Sequence, residues 1–152
     1  MTGRQALVLA TLGSGGLLLA AFAFQHLGGR APCKLCIWQR YPHAIALALG
    51  VLCLALKQRI IALGGFFAAL TTSAIGGYHV GVEQGWWEGP TTCSSAPVGS
   101  LSADDLLDQI MTAPLVRCDE IPWEMFGISM AGWNAIASLA FAAFWYFAYK
   151  KI

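Results

Sequence analysis

The chain has 152 residues, 57% of them apolar and only 11% charged, against about 25% charged in soluble domains. A formal charge of +1 is too small to recruit nucleic acid or to keep the chain disordered by self-repulsion. What is left is a membrane protein, read as a single domain over residues 1–152.

A helix needs about 20 apolar residues to cross a bilayer, and four windows meet that length: 5–24, 35–56, 60–82 and 129–149. None alternates as a barrel strand would, and in lipid only helices and closed barrels satisfy every backbone group. The expected fold is therefore all-α, a polytopic four-helix bundle. The first window, preceded by Arg4 and containing Ala21 and Ala23, has some features of a cleaved signal peptide. Its apolar run exceeds the roughly 7 to 15 residues of a signal core, and three more spans follow, so a retained span fits better.

Arg4, Lys57, Arg59, Lys150 and Lys151 all fall on one side of this hairpin arrangement, which the positive-inside rule assigns to the cytoplasm. Segments 25–34 and 83–128 then face the opposite side. All eight acids lie in the second of these, while Arg30, Lys34, Arg40 and Arg117 weigh against the assignment. The margin is five bases to four. In the long segment, Gly89 to Thr92 reads as a turn, and Trp86 with Trp87 as an interfacial pair. Ser102 with Asp105 three residues later resembles a capping box. Leu106, Leu107, Ile110 and Met111 are set against Asp104, Asp105 and Asp108, as in a short amphipathic helix lying on the membrane surface.

Four of five cysteines face the outer compartment: Cys33 and Cys36 at the mouth of the second span, Cys93 and Cys118 in the long loop. Cys53, deep in a span, reads as a packing residue. In an oxidising compartment the outer four are most naturally two redox pairs. A four-cysteine zinc site and two inert disulfides are the competing readings. Zinc sites usually show two close pairs, whereas Cys93 and Cys118 are 25 positions apart, and an inert bridge rarely sits at a helix start, where the dipole activates thiols.

Arg40 must lie within the second span, because the apolar run from Tyr41 to Leu56 is only 16 residues and cannot cross alone. It stands four residues after Cys36, on the same helix face and one turn deeper, where an ionised group marks a function or a paired partner. Pro42 either kinks this helix or begins it. His79 lies near the same depth at the outer end of the third span, and together with Arg40 can donate to a carbonyl oxygen of a lipid-soluble ligand. His26 and His43 carry no assigned role.

With Cys33-Lys-Leu-Cys36-Ile-Trp-Gln-Arg40 at the mouth of the second span, Cys93 and Cys118 in a long outer loop, and the Trp123 to Asn134 stretch entering the fourth span, the chain resembles the disulfide bond formation protein B (DsbB) family of quinone-linked thiol oxidases. The resemblance implies a bacterial inner-membrane protein with both termini cytoplasmic and its redox loops periplasmic. It implies ubiquinone or menaquinone as cofactor, and the membrane quinone pool and a periplasmic thioredoxin-like dithiol oxidase of the DsbA type as partners. Carried over by position, Cys93 is attacked by the partner's thiolate and Cys118 is its redox mate. Cys33 exchanges with that pair, Cys36 reacts with quinone, Arg40 stabilises the thiolate and a ring oxygen, and His79 is a second quinone contact. A quinol-driven reductase would use the same residues, and a non-enzymatic metal-binding membrane protein is the remaining alternative.

Overall fold

A computed structural model describes residues 1–90, 93, 102–112 and 116–152. Four long helices form the bundle: α1 Gly3–His26, α2 Lys34–Leu56, α3 Arg59–Glu83 and α5 Met130–Lys151, with the short α4 Ala103–Thr112 between α3 and α5. All four long helices are long and apolar enough to cross a membrane, and their ends lie within two residues of the expected spans. The chain is a multi-pass membrane protein.

Each helix end has a local cause. Thr2 caps α1 through a reciprocal box with Gln5, Thr2 Oγ1 accepting from the Gln5 N–H at 3.2 Å and Gln5 Oε1 from the Thr2 N–H at 2.8 Å. Lys57, with φ of 54°, ends α2 in the left-handed conformation and lets the chain reverse into α3 after Gln58. Helix α2 begins at Lys34 and runs unbroken through Pro42, so the proline neither starts nor ends it. Ser102 caps α4 as expected, accepting from the Asp105 N–H at 3.2 Å. Helix α4 buries no residue: Leu107, Ile110 and Met111 remain exposed. Of the turn expected at Gly89 to Thr92, Thr91 and Thr92 lie outside the described residues.

One element was not expected. Strands β1 Glu124–Met125 and β2 Ile128–Ser129 pair antiparallel just before α5. Phe126 and Gly127 both take positive φ, 55° and 73°, the conformation that a two-residue hairpin turn requires. The only local sign of it is Gly127, since Phe is a poor candidate for that geometry.

Around the bundle α1 packs on α2, α2 on α3, α3 on α5, and α5 back on α1. The core is built of small residues, Ala6, Ala10, Ala46, Ala62, Ala69, Ala142 and Ala148, with Trp145 its largest buried side chain. Large apolar groups such as Leu9, Leu19, Ile45, Phe67 and Leu139 point outward. Lipid tails are as apolar as leucine, so burying leucine gains little here, and close backbone approach takes its place. Cys53 belongs to this core, fully buried, as expected of a packing residue. Arg59 donates to the backbone of Ile152 at 3.2 Å, gathering the basic chain ends at one end of the bundle. The four other cysteines gather at the opposite end.

Gly65 makes room for Trp145: a Cβ there would lie 2.5 Å from the indole. Gly65→Val is expected to destabilise the bundle by about 1–3 kcal/mol, the usual cost of overpacking, lowering the midpoint of thermal unfolding in micelles, while Gly16→Ala, where a Cβ meets nothing within 4 Å, should leave it nearly unchanged.

Candidate redox site

At the start of α2, Cys33 occupies the N-cap, with φ of −75° and ψ of 170°, and its sulfur accepts from the Cys36 N–H at 3.2 Å. A thiol thus takes the place usually filled by a Ser or Asp oxygen. The Cys-x-x-Cys spacing then brings the two free sulfurs to 2.6 Å. Sharing its proton with the Cys36 sulfur, and being buried, holds Cys33 far above the usual thiol range. At Cys33 these effects outweigh the helix dipole, which was expected to activate this position.

Cys93 and Cys118 form a disulfide, with their Cα atoms 5.3 Å apart. The Cys118 N–H donates to the Cys93 carbonyl at 2.7 Å, and the Cys93 N–H to that of Pro90 at 2.8 Å. Sequence reasoning put Cys93 in the long loop facing the outer compartment. There both sulfurs are fully buried against Cys33, Leu35 and Val82, because the bridge is itself apolar and the end of the bundle offers it an apolar seat.

His79 joins the two cysteine pairs. Its Nε2–H donates to the Cys118 carbonyl at 3.1 Å and lies 3.7 Å from the Cys33 sulfur, while its Nδ1 accepts from Gln39 Nε2 at 3.0 Å. The ligating atoms of Cys33, His79 and Cys118 all fall within 4.8 Å of one another. A metal there would need the Cys118 sulfur that the disulfide already uses. Glu83, one turn beyond His79, has a buried carboxylate 3.8 Å from its ring and accepts from the Ser129 hydroxyl.

Below the thiols lies a cavity of about 520 Å³ between α1, α2, α3 and α5, within the size range of small-molecule sites. Leu17, Ala21 and Phe24 line one side, Cys36, Arg40 and His43 another, and Trp133 and Asn134 a third, under the 116–123 segment. Arg40 is held at its edge, donating to Gln25 Oε1 at 2.6 Å and to the Ala21 carbonyl at 3.3 Å, over the Phe22 ring. It thus reaches toward α1 as it shares the cavity with Cys36. His79 also lines this cavity. The 116–123 roof is anchored by Arg30, which donates to the Pro122 carbonyl.

Against the chain as a whole, the family model for "Disulfide bond formation protein DsbB" matches residues 3–148. The chain belongs to the DsbB family. A disulfide bond formation protein B from Methylococcus capsulatus is 32% identical over 94% of this chain and 92% of its own length. Another from Hahella chejuensis is 28% identical over 99% of this chain and 96% of its own. A third, from Albidiferax ferrireducens, is 29% identical over 88% and 79%. This DsbB-family chain is a disulfide-generating membrane oxidoreductase.

Sequence reasoning left out four polar groups of the site: Gln39, His43, Glu83 and Asn134. The signal was available, since polar side chains inside or at the rim of a span are functional by default. Gln39, His43 and Asn134 stand in otherwise apolar windows.

Beside the loop disulfide, Arg117 holds Asp119 through two hydrogen bonds of 2.9 and 2.6 Å and keeps its carboxyl below the ordinary range. A carboxylate whose folded pKa is depressed adds stability that is complete above its unfolded value, about 3.9, and is lost as pH falls through the folded one. Amide-exchange protection of residues 116–120 is therefore expected to be level from pH 7 to about pH 5 and to fall below that. In Asp119→Asn it should be lower by a few-fold at most, as for a partly exposed pair, and no longer fall in this range. An unchanged acid profile in the variant would remove the pair from this role.

Proposed function

We propose that this protein oxidises a periplasmic thioredoxin-like dithiol oxidase of the DsbA type and passes the electrons to ubiquinone or menaquinone, as one domain over residues 1–152 of the bacterial inner membrane with both termini cytoplasmic. The observation that carries this reading is the stacking of two sulfur couples over an apolar cavity. The Cys118 sulfur is within 4.8 Å of the Cys33 sulfur, and Cys36 lines the cavity beneath. A water-borne dithiol and a lipid-soluble oxidant occupy different phases, so a relay needs one couple accessible to each.

In the first step a partner thiolate attacks Cys93, displaces Cys118 and leaves as a disulfide, reducing the loop pair. Next the Cys118 thiolate attacks the Cys33 sulfur of a Cys33–Cys36 disulfide, Cys36 leaves as thiolate, and Cys93 closes back on Cys118. The Cys33–Cys36 dithiol now holds two electrons and two protons. A quinone bound beneath Cys36 would supply the acceptor for those two electrons and two protons. The cavity residues fit such a ring: apolar walls exclude water, the Cys36 sulfur borders the space, and Arg40 offers N–H donors for oxygen at its edge.

Because Cys93 is buried, the partner reaches it only when the 93/118 segment leaves its seat. Two ties oppose this, the His79 bond to the Cys118 carbonyl and the Arg30 bond to the Pro122 carbonyl. Exposed Leu107, Ile110 and Met111 of α4 give the segment an apolar rest on the membrane surface.

Anaerobic addition of quinone to purified, fully reduced protein is expected to consume thiols and form hydroquinone in equal amounts, two thiols per quinone. Cys36→Ser should abolish both changes. Thiols that stay fully alkylatable beside unreduced quinone would refute the assignment. In steady state, Arg40→Met is expected to raise KM for quinone by roughly 10- to 100-fold, the cost of losing a charged donor, with KM for the dithiol partner unchanged. A KM for quinone equal to the parent's would take Arg40 out of the site.

A further inference from the structure

The outer cysteines are far apart along the chain and close together in the fold. Cys93 and Cys118 are separated by 25 positions, which along the sequence spoke against zinc, yet their Cα atoms lie 5.3 Å apart. The Cys33 and Cys36 sulfurs are 2.6 Å from each other, and the Cys118 sulfur is within 4.8 Å of that of Cys33. Two close pairs therefore face one another, as in a structural four-cysteine zinc site. In the structure the bond between Cys93 and Cys118 occupies two of those four sulfurs.

The surroundings suit a metal-bound thiolate. Zinc takes sulfur at about 2.3 Å, which sets the ligand sulfurs of a tetrahedron about 3.8 Å apart. Reduction of the loop pair frees its sulfurs to part to that spacing. Cys33 already accepts from the Cys36 N–H at 3.2 Å, with the His79 Nε2–H 3.7 Å away, and such donors orient a sulfur ligand and support its charge. His79 Nδ1 accepts from Gln39, so Nε2 keeps its proton and the ring serves as a donor, not a ligand. Leu35, Val82 and Val116 pack around the cluster, and structural zinc sites are closed in the same way.

We propose that the fully reduced protein binds one zinc ion through the sulfurs of Cys33, Cys36, Cys93 and Cys118, with the His79 Nε2–H donating to the Cys33 sulfur. Binding moves no electrons: four thiols lose four protons as four zinc–sulfur bonds form. The ion enters while the 93/118 segment is off its seat and is enclosed when the segment returns. Zinc and the disulfides compete for the same sulfurs, so the ion holds the protein reduced, and oxidation of either pair withdraws two ligands. The inference goes beyond the quinone reading and holds whatever accepts the electrons.

The test uses the full-length protein in micelles, reduced with a phosphine, freed of reductant and kept anaerobic. Titration with Co2+ is expected to load one ion per chain, with the sulfur-to-cobalt charge-transfer bands of a tetrahedral four-thiolate site, and Zn2+ should displace it. Protein with Cys93 and Cys118 bonded should give no such spectrum at concentrations that saturate the reduced form. Mass-spectrometric mapping of alkylation is expected to show Cys33, Cys36, Cys93 and Cys118 all protected by zinc. Protection of Cys33 and Cys36 alone, equal binding by oxidised and reduced protein, or no binding to the reduced protein overturns the assignment. His79→Phe removes the donor and should weaken zinc about 10- to 100-fold, the usual cost of losing an outer-shell partner, with the four-sulfur spectrum kept. Unchanged affinity would remove His79 from the site, and a nitrogen ligand that disappears in His79→Phe would overturn the four-sulfur set. None of these measurements involves quinone, so their failure leaves the proposed function standing, and failure of quinone reduction leaves this site standing.

Discussion

One imidazole sets the geometry of the cysteine end. His79 accepts from Gln39 on α2 and donates to the Cys118 carbonyl of the loop, so a single ring fixes where the loop disulfide sits relative to the Cys33 sulfur. Gln39 settles its tautomer: with Nδ1 receiving an amide proton, only Nε2–H is left to give. The two cysteine pairs lie close together because α3 carries that ring at the depth of the first turn of α2.

Behind His79 the same accounting continues into the bundle. Gln39, Thr72, Asn134 and His43 satisfy one another across α2, α3 and α5, as lipid demands of any polar group it surrounds. Such a network is costly if partly made and rigid when complete. Here it is complete except at His43 Nδ1, which is buried. Small residues elsewhere let the helices approach closely enough for these bonds to form, so the alanine-rich packing and the polar network depend on each other.

The burial of Cys93 and Cys118 changes how the chemistry must be ordered. A loop disulfide seated on Cys33 is well placed for exchange inside the protein and badly placed for attack from water. In the proposed relay, release and reseating of one segment would separate the two exchanges in time. Among the described residues, the hydrogen bonds that hold the segment to the bundle are those of His79 and Arg30 to the Cys118 and Pro122 carbonyls, which suits a piece that leaves and returns in the proposed relay.

Much of this was legible along the chain. The four spans follow from runs of apolar residues, the start of α4 from Ser102 and Asp105, and the Cys33-x-x-Cys36 pair with Arg40 one turn below from helical spacing, because each depends on residues a few positions apart. The seat of Cys93, the turn at Phe126 and Gly127, and the placing of Gln39 and His43 against Asn134, at separations of 95 and 91 residues, were not. By itself the sequence determined that the chain has four spans and places four of its five cysteines toward one side. Only the tertiary structure decided which polar groups meet beneath that sulfur, because a hydrogen bond between helices depends on their relative rotation and depth, and local pattern specifies neither.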